Sequence, residues 1–178
     1  TKIFQKFINK KVKERGVICI CSKYSLSFVS LVFAAYLNKN IITFINPNAS
    51  KKEKFHVIKN SFANLIFFEK NLIRLNKKKK SFLDLNYIYC NNKINTELKK
   101  QDRFIIYTSG TSTRPKGVII SNKAISANVS AICEDLQLQK KDRSIVFSPP
   151  AYAMGISQIL TYMAAGCGIV LYKEGLKF

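Results

Sequence analysis

The chain has 178 residues, 47% hydrophobic and 12% aromatic, enough to bury the core of one domain or of a large part of one, which excludes general disorder. Seven Gly and four Pro exclude collagen-like and Pro-rich classes, and no apolar run reaches the ~18 residues of a membrane-spanning helix. The 30 basic residues against 10 acidic give +20, but the excess is Lys (25 against 5 Arg) and accompanies 15 Asn, 22 Ile and 13 Phe, types that share AT-rich codons; without a Lys stripe interleaved with aromatics, it reads as a solvated surface and not as a specific nucleic-acid footprint.

In chain order, Ile3, Phe4, Phe7, Ile8 and Val12 stand at helical spacing and predict an amphipathic helix from residue 3 to about 15, ended near Gly16. Val17–Cys21 has the length and apolarity of a buried strand, residues 26–36 those of a mostly buried helix, and the β-branched run 41–45 those of a second strand that stops at the turn Asn46-Pro47-Asn48. Ser50 and Glu53 have the spacing of a capping box, opening a helix that carries Phe55, Val57, Ile58 and Phe62. Leu65–Phe68 is a third strand. Strands alternating with helices predict an α/β fold: three layers, with a mostly parallel sheet between helices. Residues 70–101 are polar and irregular, a candidate join between sub-lobes 1–69 and 102–178, with one short strand at Tyr87–Tyr89 and a solvated Lys77–Lys80 run. The pattern then resumes with strands at 104–107 and 118–120, a helix from Ser121 or Asn122 to about Leu136, a strand at 144–147 stopped by Pro149-Pro150, a helix at about 155–164 and a strand at 169–172. The five cysteines form no C-x-x-C pair and lack nearby histidines, so they read as reduced, buried thiols of a cytoplasmic protein with no metal site; His56, the only histidine, is expected on an exposed helix face with no role.

Chemistry concentrates in Tyr107-Thr108-Ser109-Gly110-Thr111-Ser112-Thr113-Arg114-Pro115-Lys116-Gly117, between two strands. Thr108, Ser109, Thr111, Ser112 and Thr113 place five hydroxyls in six positions, Gly110 permits close backbone approach, and Lys116 adds a cation held near by the stiff Pro115. Hydroxyls, successive amides and one Lys suit a polyphosphate. The spacing is not that of a Walker A loop, because Pro115 stands where its second Gly would fall, and no G-x-G-x-x-G occurs.

This segment resembles the signature of the adenylate-forming enzymes: acyl- and aryl-CoA synthetases, peptide-synthetase adenylation domains and luciferases. It matches every specified position of Tyr-Thr-Ser-Gly-[Ser/Thr]-[Ser/Thr]-Gly-x-Pro-Lys-Gly except the second glycine, which is Thr113 here, a β-branched residue where glycine would allow positive φ. Further likeness lies in Asn46-Pro47, in Ile119–Asn122 with Asn128-Val129, and in Pro149–Ile156. The resemblance implies part of the large N-terminal domain of such an enzyme. It implies use of Mg2+ and ATP, activation of a carboxylic acid as an acyl-AMP, and transfer to a thiol of coenzyme A or a carrier protein. Thr108, Ser109, Gly110, Thr111, Ser112, Thr113 and Lys116 would then grip the β- and γ-phosphates. Tyr152, Ala153, Met154 and Gly155 would start the carboxylate pocket. No Asp stands between Ser148 and Leu160 where an amino-acid-activating domain usually holds the substrate amine, which favours an acyl or aryl acid. An amino-acid adenylation domain and a non-catalytic nucleotide-binding remnant remain the alternatives. The family's adenine, ribose and Mg2+ segments and its C-terminal catalytic Lys have no match, so the 178 residues are expected to be an internal fragment that holds no catalytic residue and is inactive alone.

Overall fold

The computed structural model of the chain describes residues 1–69, 72, 73, 78–90, 92, 93, 97–108 and 115–172. Its centre is set by three short runs, β1 (Val17–Cys21), β2 (Ile41–Phe44) and β3 (Leu65–Phe68), in which Thr43 apart every residue is apolar or Cys and every residue is buried. Runs of this kind fit strands covered on both faces. β1 lies in the middle, parallel to β2 (Val17 opposite Ile41) and to β3 (Ile18 opposite Leu65). Because strand side chains alternate, Ile18, Ile20, Phe44 and Phe67 pack into one core and Cys19, Cys21, Ile66 and Phe68 into another on the opposite face. The first core is closed by α1 (Lys2–Asn9) and α2 (Leu26–Leu37) through Phe4, Ile8, Phe28 and Leu31; the second is closed by α3 (Lys51–Asn60) through Val57 and Ile58.

The seven-stranded sheet is mixed, parallel in its centre and antiparallel at both margins. On one side β3 pairs antiparallel with β5 (Leu85–Tyr89), which forms a hairpin with β4 (Lys80–Phe82). On the other, β2 pairs parallel with β6 (Asp102–Thr108), which pairs antiparallel with β7 (Lys116–Ser121). The order is β4-β5-β3-β1-β2-β6-β7. Ser121 then caps α4 (Asn122–Asp135) by accepting from the Ala124 N–H. A βαβ unit follows: β8 (Arg143–Val146), α5 (Ala153–Ala164) and β9 (Gly168–Leu171), the two strands forming a separate parallel pair. Ile156 and Ile159 of α5 join the core beneath α2, and α4 packs on α5.

The α/β, three-layer architecture expected from the alternation is the one observed, and three boundaries differ. The first helix stops at Asn9, because Lys11 and Val12 both donate to the Ile8 carbonyl and the chain turns through Arg15 at φ 66° before Gly16; Val12 is still buried. The hairpin partner of β5 was not foreseen: β4 has three residues, two of them exposed, and its turn passes through Leu83 at φ 53°, a residue with no turn preference. Of the Lys77–Lys80 run, Lys78 and Lys79 are exposed, Lys80 opens β4, and Lys77 lies outside the described residues. α5 begins at Ala153, because Tyr152 is extended (φ −100°, ψ 146°) and already serves as its N-cap. Among the described residues no helix is long and apolar enough to cross a membrane.

The capping box that opens α3 is complete: Ser50 Oγ accepts from the Glu53 N–H at 3.2 Å, and a Glu53 carboxylate oxygen accepts from the Ser50 N–H at 2.8 Å. These bonds hold the Glu53 carboxyl below its ordinary pKa. Ser50→Ala removes the first of them, and urea unfolding of the chain should show a loss of about 1 kcal/mol, the usual worth of a hydroxyl cap; an unchanged midpoint would mean that packing alone fixes the start of α3.

Candidate active site

The hydroxyl-rich segment hangs from the β6–β7 hairpin. In its register Ile106 faces Val118, Tyr107 faces Gly117, and Thr108 faces Lys116 as the last pair. Thr108 and Lys116 are both exposed, so a hydroxyl and an ammonium stand opposite each other where the hairpin opens. Ser109, Gly110, Thr111, Ser112 and Thr113 lie outside the described residues.

The stems are held from behind. Tyr107 is half-buried and its hydroxyl donates to Asn60 Oδ1 on α3 at 2.7 Å. Burial pushes the Tyr107 phenol well above its ordinary pKa, with the neighbouring Cys19 thiol adding to the shift, so it stays a neutral donor. Gly117 makes room for that ring: a Cβ there would lie 3.2 Å from Tyr107 Cζ and 2.9 Å from Ile105 Cγ2. On the other stem, the Pro115 carbonyl lies 2.9 Å from His56 Nε2. A carbonyl only accepts, so Nε2 carries the proton. The His56 ring meets Tyr107 edge-on, with centroids 6.3 Å apart at 83°. The sequence pattern put His56 on an exposed face without a role; it is instead half-buried against both stems. Beneath α3, Cys19, Cys21 and Cys90 are free and buried; burial raises the Cys19 thiol and pushes the Cys21 thiol up to about 12, so those two sulfurs pack as neutral groups.

The segment 152–155 divides between two cavities. Tyr152 lines a cavity of about 330 Å³, mixed in polarity, together with Tyr107, Pro115, Asn46 and Glu53, so the loop stems and the first expected carboxylate-pocket residue share one space. The Tyr152 hydroxyl accepts from Asn46 Nδ2 at 3.3 Å, a partner 106 positions away that the sequence marked as a turn residue and a point of family likeness but not as a neighbour of Tyr152. Ala153 and Met154 instead line an apolar cavity of about 380 Å³, floored by Phe104, Ile106 and Ile120 and walled by α4 and α5. Among the described residues that line it none is ionisable; Asn128 and Ser157, hydrogen-bonded to each other at 2.9 Å, are its polar members. Gly155 lines neither cavity. It is buried where a Cβ would come within 2.4 Å of the Tyr24 hydroxyl and 2.5 Å of the Ser148 carbonyl, the two groups that hydrogen-bond each other at 2.6 Å. Gly155 thus sets how closely α5 approaches the core. Among the described residues no three His, Cys, Asp or Glu side chains gather into a metal site, and none is assigned to Mg2+ here. The donors at the hairpin mouth, a hydroxyl and an ammonium with no carboxylate paired to them among the described residues, fit a phosphate chain.

The chain belongs to the AMP-binding enzyme family, whose model matches residues 6–178. Bacitracin synthase 3 of Bacillus licheniformis is 37% identical over 71 residues, 40% of this chain and 1% of that protein. O-succinylbenzoate coenzyme A synthetase (MenE) from Bacillus subtilis, solved in complex with ATP and a magnesium ion, superposes with a TM-score of 0.75 at 15% identity, covering 99% of this chain and 49% of that one. The N-terminal domain of FACL13 from Mycobacterium tuberculosis gives a TM-score of 0.76 at 13% identity over 98% of this chain and 48% of that one. The chain therefore spans about half the length of these solved structures.

Gly155→Ala tests the packing at the head of α5. Overpacking a closed site typically costs 1–3 kcal/mol, so a loss of about 2 kcal/mol is expected in urea unfolding; a neutral or stabilising change, as at an open helical glycine, would show that the Tyr24–Ser148 contact yields freely.

Proposed function

We propose that this chain forms the ATP-gripping and acid-binding front of an AMP-forming acid–thiol ligase, acting on an acyl or aryl acid. The observation that carries the reading is the shared cavity: the stems of the hydroxyl-rich loop and Tyr152 face one space. In the reaction a carboxylate oxygen attacks the α-phosphorus of ATP, forming the acyl–phosphate bond as the bond to the leaving pyrophosphate breaks. A thiol then takes the acyl group, as a thioester, and AMP leaves. Charge builds on the departing pyrophosphate, and preorganised donors aimed at it lower the barrier. Thr108 and Lys116 stand at the hairpin mouth as two such donors, and Ser109, Gly110, Thr111, Ser112 and Thr113 complete the set through hydroxyls and backbone amides. Tyr152, oriented by Asn46, would border the reacting carboxylate, while Ala153 and Met154 would contact the body of the acid. An apolar cavity with no ionisable lining among the described residues supports an acid without a free amine.

A second reading, amino-acid activation for a carrier-bound thiol, is favoured by the likeness to bacitracin synthase 3. The acid pocket distinguishes the two: exchange stimulated by aliphatic or aryl acids supports the ligase, and exchange stimulated only by amino acids supports the synthetase.

In the intact enzyme, Lys116→Ala should slow ATP–pyrophosphate exchange about a hundredfold, a loss on the order of 3 kcal/mol, while thioester formation from synthetic acyl adenylate changes little. Pyrophosphate leaves only in the first step, so equal losses in both steps would make Lys116 structural, and no loss in either would remove the loop from the phosphate site.

A further inference from the structure

We infer that helix α3 is a fixed jaw that sets the spacing and direction of both stems of the hydroxyl-rich loop, with His56 and Asn60 as its positioning residues. The inference rests on the functional reading above for what the loop does, but not for how the loop is held.

His56 and Asn60 stand at i and i+4, so they project from one face of the helix. Each takes a different stem: Asn60 Oδ1 accepts from the Tyr107 hydroxyl, immediately before the loop, and His56 Nε2 donates to the Pro115 carbonyl, near its end. The two contacts are linked, because the His56 ring packs edge-on against the same Tyr107 ring that lies over Gly117. The helix itself is anchored at three points independent of the loop. Its first turn is closed by the Ser50–Glu53 box, Lys54 Nζ donates to the carbonyls of Pro47 (2.6 Å) and Leu72 (3.1 Å), and Val57 and Ile58 sit in the core. Pro115 has no N–H, and its φ is locked by its ring, so a bond to its carbonyl fixes the direction in which the chain enters β7. Among the described residues α3 makes no hydrogen bond to Thr108 or Lys116; it acts on those donors through the stems.

The test has two readouts. In amide hydrogen exchange of the full chain, His56→Ala and Asn60→Ala should each speed exchange of the stem amides of residues 105–108 and 116–119 about five- to tenfold, the scale of one lost hydrogen bond, with β1 and β3 unchanged. His56→Gln, whose amide can donate to the Pro115 carbonyl, should restore most of the protection. Tyr107→Phe combined with Asn60→Ala should exchange no faster than either single variant, because both remove the same bond. In the intact enzyme the KM for ATP should rise in His56→Ala and Asn60→Ala and recover in His56→Gln, with the KM for the acid unchanged. Stem exchange identical to the parent in all variants, or additive effects of Tyr107→Phe and Asn60→Ala, would overturn the jaw. If His56→Ala unfolds the whole chain, the Tyr107→Phe and His56→Gln comparison decides. An intact enzyme that does not use ATP would instead sink the functional reading, while the exchange result would still judge the jaw.

Discussion

A single parallel pairing decides where the chemistry of this chain can sit. β2 and β6 meet over Ile42–Phe104 and Thr43–Ile105, and the buried Thr43 hydroxyl donates to the Ile105 carbonyl at 2.8 Å, fixing the register against slippage. Through this join the β6–β7 hairpin continues the central sheet, which brings its open end beside the C-terminal end of β2 and the face of α3 that carries His56 and Asn60. Shifting the register by one residue would turn Tyr107 away from Asn60 and exchange the faces on which the buried Phe104 and Ile105 pack. The cavity of mixed polarity exists because β2, α3 and the segment before α5 all end in the same region.

The edges of the sheet serve different purposes from its centre. Antiparallel β5 and β4 close an aromatic cluster with α1, in which the Phe7 ring meets Tyr87 edge-on at 4.9 Å and lies 4.0 Å from Phe82. That cluster seals the N-terminal core. The opposite edge is given over to the hairpin, where Thr108 and Lys116 are exposed and the stems that carry them are held from behind by α3. Binding groups on a lightly buried hairpin gain their accuracy from such a backing.

The elements that were legible in the sequence are those whose signal is local. Val17–Cys21, Ile41–Phe44 and Leu65–Phe68 announce themselves as short apolar runs, and Ser50 with Glu53 marks the start of α3 by spacing alone. The segment from Thr108 to Lys116 stood out as a candidate phosphate site because its residue types are clustered. What could not be read were partnerships across long separations: Asn46 with Tyr152, Tyr24 with Ser148, and His56 with Pro115. None of these leaves a mark within a window of neighbouring residues. His56 in particular looked like a surface residue, because α3 has a mostly charged sequence and the stem it touches lies 59 positions away. The Gly155 site shows the same limit, since only the approach of Tyr24 reveals why a side chain cannot stand there.

β7 ends the sheet, and among the described residues its outer edge has no partner strand. Val118 and Ile119 are each 48% exposed there, so the strand offers apolar side chains next to unpaired backbone groups, the combination that invites another chain to add on. Lys116 opens that strand, and a charged residue at such a margin opposes self-association. A substitution that removes the charge alters colloidal behaviour whatever else it does, so light scattering belongs beside any measurement made on a variant at this position.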